Sequence, residues 1–291
     1  FWQELFGTGL VRTSEDFGIM GDNPVNPDLL DWLAVEFRDS GWDVKRLFRL
    51  MVTSAAYRQA TRVTPEMLEL DPDNRLLSRG PRFRMDAEMV RDYALAAAGL
   101  VSGRIGGPSV RSYHPEGVWE AVAMPESNTR HYRRDDGEAL YRRSLYTFWK
   151  RAAPPAFMDV FNAPNREVCS VRRERTNTPL QALATLNDPQ LIEAARHLAA
   201  LALAGGDGDA ARALERLAER VLLRPLADDE RAILLETLGQ LAFHYGGTPE
   251  DARALVAVGV SPAPEDAPAP QLAALTLLAN QLLNLDETLN K

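Results

Sequence analysis

Cysteine is almost absent from this 291-residue chain, where Cys169 stands alone. That excludes an internal disulfide, a multi-cysteine zinc site and a Cys-x-x-Cys-His haem attachment within it. Histidine is nearly as scarce: His114, His131, His197 and His244 are scattered, with no HExxH, His-x-His or calcium-loop spacing. No metal site is expected. No apolar run approaches the ~20 residues that cross a bilayer, so no membrane span is expected. An excess of positive charge is missing too. Thirty-three Lys/Arg against 41 Asp/Glu give a net charge of -8, which argues against a general nucleic-acid partner. Nucleotide and hydrolase signatures are lacking, since neither a P-loop, a GxSxG elbow nor a GxGxxG after a strand occurs. The chain opens on Phe1 without a methionine or a charged-then-apolar leader, and reads as a piece of something longer.

What is present is helix. Asn26-Pro27 supplies an N-cap and a first-turn proline, after which Leu29, Leu30, Leu33 and Phe37 recur at helical spacing. Asp43 opens the next helix, with Val44, Leu47, Phe48 and Met51 as its apolar stripe. Arg84 to Leu100 forms a third, with Met85, Met89, Ala96 and Leu100 facing inward. Thr178-Pro179-Leu180-Gln181 is a capping-box pattern, and Asn187-Asp188-Pro189 repeats the device. Further helices are expected at 210–223, 228–245, 248–258 and 271–285, the last reached through a stiff Pro/Ala linker, Ser261 to Pro270. Between Val101 and Asp136 the periodicity fades into a glycine-proline loop with one short helix around 116–122. Ser144 to Trp149 (SLYTFW) is the best strand candidate, with buried helix as its rival. The expected fold is therefore mainly α: a helical body over 1–100, a long irregular insertion over 101–177, and a C-terminal helical bundle over 178–291.

Charge is unevenly placed. From Tyr141 to Arg175 there are eight Lys/Arg against three Asp/Glu, and from Gly205 to Lys291 seven against fourteen. The densest polar stretch is Asn162 to Pro189. Its arginines have the fork geometry that holds carboxylates, phosphates or sulfates, and the helix start after Thr178 adds oriented N–H groups. The candidate ligand-binding residues are Arg166, Arg172, Arg173, Asn177 and Gln181, joined by Arg143 and Tyr146 from the preceding cationic-aromatic run. The bland reading has the same arginines pairing with Glu167, Glu174 and nearby carbonyls to pin a loop. His114, Glu116, Glu120 and Asp136 form a candidate acid/base group, against the reading that they are solvated loop charges. Cys169 reads as a buried inert thiol rather than a nucleophile.

Several long segments carry a family resemblance: FWQELFGTGLVRTSEDFG, NPDLLDWLA, DNRLLSRGPRFRMDAEMVRD, the GGPSV loop, YRRSLYTFWKR, REVCSVRRERTNTPLQALATLNDP and LLNLDETL. Together they resemble domain of unknown function number 1553, found in large exported proteins of Planctomycetes and Verrucomicrobia. The resemblance spans nearly the whole chain. It implies an extracytoplasmic setting, with a c-type cytochrome domain and a second uncharacterised domain upstream. Any haem would belong to those domains, and this chain itself is expected to hold no cofactor. The expected partners are the upstream domains and an anionic polysaccharide. The family supplies no catalytic residues to carry over. The favoured function is a module that binds a ligand or partner through its arginines. An enzyme acting on carbohydrate, as a hydrolase or oxidoreductase subunit, and a purely structural scaffold are the rivals.

Overall fold

Capping chemistry sets several of the helix boundaries. Asn26 Oδ1 accepts from the Leu29 N–H at 3.1 Å and Asp43 Oδ1 from the Arg46 N–H at 2.9 Å. Asp188 Oδ1 takes the N–H groups of both Gln190 and Leu191. Each supplies an acceptor to a first-turn donor that the helix itself leaves unpaired. The computed structural model describes residues 1–206, 209–265 and 267–290. It is mainly α, and among the described residues it has no strand beyond two single-residue bridges.

The chain forms two units. The first comprises 1–84 with 169–173. It carries α1 (Trp2–Phe6), α2 (Pro27–Asp39), α3 (Val44–Val52) and α4 (Pro65–Leu70). Its buried centre is small, built from Phe6, Leu47 and Met51, with Trp2 stacked on Phe6 at 4.0 Å. The loop after α4 is held by polar groups: buried Asp71 accepts from the Arg75 and Leu76 N–H groups, and Arg79 donates to the carbonyls of Asp71 and Pro72. The apolar stripe expected on α2 exists, but no residue of that helix is fully buried.

The second unit comprises 85–168 with 174–290. Its helices are α5 (Ala87–Ala97), α6 (Val118–Val122), α7 (Ala156–Val160), α8 (Pro179–Asn187), α9 (Pro189–Gly205), α10 (Ala210–Leu222), α11 (Asp228–Gly247), α12 (Pro249–Val256), α13 (Ala269–Leu283) and α14 (Asp286–Leu289). α9 and α13 pack together at its centre, with α5, α10, α11 and α12 around them. Alanines at 194, 195, 199, 273, 274 and 279 are all buried and let the backbones approach. Leu198, Leu214, Leu217, Leu275 and Leu278 fill the remaining space with no exposure, and each contributes about 1.5–3 kcal/mol by leaving water.

Four local expectations change. Ser144 to Trp149 is neither strand nor buried helix: Ser144–Tyr146 is one 3-10 turn, followed by a single bridge between Val110 and Thr147. Arg111, the next residue along, exchanges its backbone bonds with Asp135 instead, so no ladder propagates. Ala96 points outward while Arg91 is buried, because the inner face of α5 runs through Ala87, Val90, Arg91, Ala94 and Leu95. Cys169 is exposed, and the apolar neighbours in its loop, Val168 and Val171, are turned to solvent as well rather than enclosing it. Half of the capping box at α8 forms: Thr178 Oγ1 accepts from the Gln181 N–H at 3.3 Å. The Gln181 side chain instead turns inward, donating to Val160 O and Thr176 Oγ1. In the expected Pro/Ala linker, Asp266 lies outside the described residues.

α11 begins on a two-carboxylate clamp. Arg224 forks onto both oxygens of Glu230 at 2.7 and 2.8 Å and onto Glu287 at 2.8 and 2.6 Å. Glu230 also accepts from the Ala227 N–H. Arg224, then that backbone N–H, push the Glu230 carboxyl down to about 2. A carboxyl lowered on folding stabilises above its unfolded value, about 4.3, and the contribution is lost as pH falls through about 2. The side chains are over one-third exposed, so solvent screening keeps the effect near or below about 1 kcal/mol. Glu230→Gln should therefore lower Tm at pH 7 and by much less at pH 2, as read by scanning calorimetry. An equal decrement at both values would remove the charge from the account.

Candidate functional site

The arginine-rich segment divides between the two units. Arg172 and Arg173 belong to the first, where Arg172 is exposed and donates to Glu15 at 2.7 Å. Arg173 is half-buried and has partners of its own. Arg143, Tyr146, Arg166, Asn177 and Gln181 belong to the second.

In the second unit these side chains do different work. Gln181 is buried and ties α8 to Val160 and Thr176. The Tyr146 hydroxyl accepts from the Gly106 N–H at 2.8 Å, and its ring lies 3.7 Å from the Arg142 guanidinium. Arg142 itself donates to the carbonyls of Pro108 and Gly106, so this pair holds the glycine-proline loop. Arg143 is exposed, 3.5 Å from Asp92. Asn177 is exposed, with no hydrogen bond among the described residues. Arg175, which belongs to the same stretch, sits 3.6 Å from Asp86.

Arg166 differs from the others. Its guanidinium lies 4.7 Å over the Trp149 ring, and among the described residues no hydrogen bond or ion pair engages it. Its backbone φ is +66°, the left-handed region that a β-carbon disfavours by about 1–2 kcal/mol. A strained, exposed residue that carries an unspent fork on an aromatic platform is the kind of outlier found at binding sites. Arg151, two residues after the same tryptophan, pairs loosely with Glu167 at 3.5 Å. The chemistry available is bidentate capture of a carboxylate or sulfate.

The acid/base candidates separate in a different way. His114 packs on Tyr132 and Trp119, with ring centroids 4.7 and 6.1 Å away, and its Nε2 is buried without a partner. Burial lowers its pKa, opposed by Glu120, which favours the neutral ring at pH 7. Glu120 bonds the ring of His131 at 3.1 Å. Its own backbone N–H and then His131 hold its carboxyl below the usual range. Glu116 and Asp136 are exposed, and no hydrogen bond or ion pair joins either to this group. Among the described residues, no cluster of three or more His, Cys, Asp or Glu could hold a metal, and no helix is long and apolar enough to cross a membrane.

The most heavily bonded polar centres went unmarked in the sequence. Glu193 and Arg196 are fully buried on α9. The Glu193 carboxylate accepts from Tyr113, Tyr141, Val260 N–H, and both the N–H and hydroxyl of Ser261. Burial alone would raise its carboxyl, but the Ser261 donors, Tyr113 and Val260 outweigh it and leave the group below the usual range. Gly259 makes this approach possible: its φ is +99°, and a Cβ there would stand 2.7 Å from Glu193 Cδ. Arg91, also buried, donates to Gln190, Arg142 O, Ser144 and Leu140 O. A small hollow of about 20 Å³ lies beside it, lined by Ser112, Asp188 and Gln190 together with the apolar Phe157, Met158 and Leu191; it has room for one water. The signal for these centres was present: Glu193, Arg196 and His197 interrupt a helix that is otherwise apolar nearly all round, and such a helix is buried.

A family model described as "PSD1: Protein of unknown function (DUF1553)" matches residues 1–238. No curated protein and no solved structure matches the chain.

Proposed function

The chain belongs to the family described as PSD1, protein of unknown function (DUF1553), and we propose that it acts as a binding module of a larger extracytoplasmic protein. Its ligand on this reading is an anionic glycan, taken at Arg166 on the Trp149 platform. One observation carries this: Arg166 is a strained, left-handed, solvent-facing residue whose fork has no internal acceptor. Stacking on Trp149 holds the guanidinium plane, so less side-chain entropy is lost when a carboxylate or sulfate docks. The anion candidates Arg172, Arg173 and Arg143 have carboxylate or other internal partners, which leaves Arg166 as the anchor. The basic residues of the same unit on that stretch, Arg143, Lys150 and Arg151, would raise the local concentration of an anion. Upstream domains of the same polypeptide are the proposed covalent partners, and haem, where present, would reside there.

The test separates binding from folding. Arg166→Gly removes the fork but also the left-handed strain, so stability should stay within about 1 kcal/mol of the parent. Calorimetric titration with tetragalacturonate and with a heparin tetrasaccharide should show at least one of them binding the parent. Arg166→Gly should weaken that affinity tenfold or more, and Arg166→Lys, which keeps charge without the fork, should fall between. Unchanged affinity in Arg166→Gly, or no binding of either probe to the parent, would end this reading.

A second reading, an enzyme acting on carbohydrate, draws on the hydrogen-bonded Glu120–His131 pair beside neutral His114. It predicts release of reducing ends from a polysaccharide, lost in Glu120→Gln and retained in Arg166→Gly. The scaffold reading draws on the arginines that are paired within the fold, and predicts neither binding nor turnover.

A further inference from the structure

α2 has an apolar stripe that is only partly packed, with Leu33 and Phe37 against the Phe6, Leu47 and Met51 centre. Leu30, Leu33, Ala34 and Phe37 recur at the i, i+3, i+4, i+7 spacing of an apolar face, yet no residue of α2 is fully buried. That face instead walls a hollow of about 840 Å³ within the first unit, completed by Trp2, Leu10, Phe17 and Met51. Beside it, the loop 13–22 holds three large apolar side chains out in water: Phe17 at 76%, Ile19 at 104% and Met20 at 88% exposure. The loop is built by its own hydrogen bonds. The Thr13 hydroxyl donates to Asp16 O and accepts from the Asp22 N–H, while Asp16 Oδ1 accepts from the Gly18 N–H. Arg12 anchors its base to Asp73 at 2.9 Å. An apolar patch of this size on a structured loop, continuous with an apolar hollow, marks an interaction surface.

Charge and shape identify the partner. The charged residues that line the hollow are Glu4 and Asp22, with no Lys or Arg among them. A helical stripe whose open side borders a hollow is complemented by another helix laid against it. A negative rim selects positive flanks. We propose that the hollow of the first unit receives an amphipathic helix from a partner polypeptide, one that sets Lys or Arg beside an apolar stripe. α2, 13 residues long, offers about 20 Å of contact at 1.5 Å per residue, enough to seat four or so turns.

The probe is a labelled 14-residue Leu/Lys peptide with helical apolar spacing, titrated into the full chain by fluorescence anisotropy, with a Leu/Glu peptide of the same pattern alongside. The Leu/Lys peptide should bind at least tenfold tighter, weaken as salt rises, and gain helicity on binding. Phe17→Ser with Ile19→Ser alters only exposed side chains, so the chain should fold as before and lose tenfold or more in affinity. Glu4→Lys with Asp22→Lys should reverse the preference between the two peptides. Phe243→Ser, at an equally exposed position of the second unit, should change nothing. Equal affinity for both peptides, indifference to the Phe17/Ile19 change, or a dimer dissolved by that change would each overturn the proposal, the last by assigning the face to a second copy of this chain.

Discussion

Glu193→Ala is expected to destabilise the second unit by about 3–5 kcal/mol, the range for removing one partner of a buried charge pair. The loss has two parts. Arg196, with 1% of its surface exposed, keeps its charge but loses the carboxylate 3.9 Å away. Tyr113, Tyr141 and the N–H groups of Val260 and Ser261 lose their acceptor together, and buried donors left unpaired cost about 1–3 kcal/mol each before relaxation. Ser261 sharpens the case. Its single hydroxyl proton goes to Glu193, so its lone pairs accept from Arg196 at 2.9 Å and from His197 Nε2 at 2.6 Å, which puts the His197 proton on Nε2. Burial and then Arg196 lower the His197 pKa, keeping the ring neutral near pH 7. Urea denaturation followed by circular dichroism should show the midpoint shift with little change in m. Glu193→Leu with Arg196→Met should recover part of the loss, because the charge goes with its partner. A loss under about 1 kcal/mol in Glu193→Ala would mean that water reaches the network. Since the Glu193 carboxyl is lowered on folding, its contribution is present above the unfolded value and is lost as pH falls through the folded one.

What the residues disclosed beforehand was what acts over a few positions. Asn26, Asp43, Thr178 and Asp188 each cap the helix expected of them, because a cap needs only its own side chain and the next three N–H groups. The mainly α character follows from the same local code. The irregular excursion resisted reading because its bonds close over distance: Arg142 reaches Pro108, 34 residues back, and Tyr146 reaches Gly106, 40 back. Gln181 shows the same limit. Its position fits a capping box, but a carbonyl 21 residues away took its side chain. The sequence shows the fork of Arg166, but its left-handed backbone, its stacking on Trp149 and its lack of an ion-pair partner among the described residues are tertiary facts. The stripe of α2 was legible as amphipathic; that it borders open space is a tertiary fact.

Arg91 carries the second large prediction, since it does for the excursion what Glu193 does for the 256–261 segment. Its Nε donates to Gln190 Oε1 at 2.7 Å, and its two terminal nitrogens reach Arg142 O at 2.9 Å, Ser144 Oγ at 3.1 Å and Leu140 O at 2.8 Å. Two of these acceptors, Leu140 O and Arg142 O, are main-chain carbonyls in and just after a single 3-10 turn, Gly137–Tyr141, so the guanidinium supplies donors that no longer helix or sheet provides there. Burial lowers its pKa, opposed by Asp92 and Asp188; a lysine could supply only three donors from one point. Arg91→Met should therefore cost about 3–5 kcal/mol, with the damage placed locally. The amides of Ser102, Val110 and Phe148 donate across the excursion to Tyr141 O, Tyr146 O and Val110 O. Their hydrogen-exchange protection should collapse in Arg91→Met, and that of Leu198 and Leu278 amides in the central helices should fall far less, because the apolar packing of α9 on α13 does not pass through Arg91. Arg91→Lys should show the same pattern at reduced size. Uniform loss of protection across both sets of amides would make Arg91 a general core residue. Unchanged exchange at Ser102 and Phe148 would show that the excursion holds its shape without the clamp, and that Arg142 and Tyr146 suffice to keep the glycine-proline loop in place.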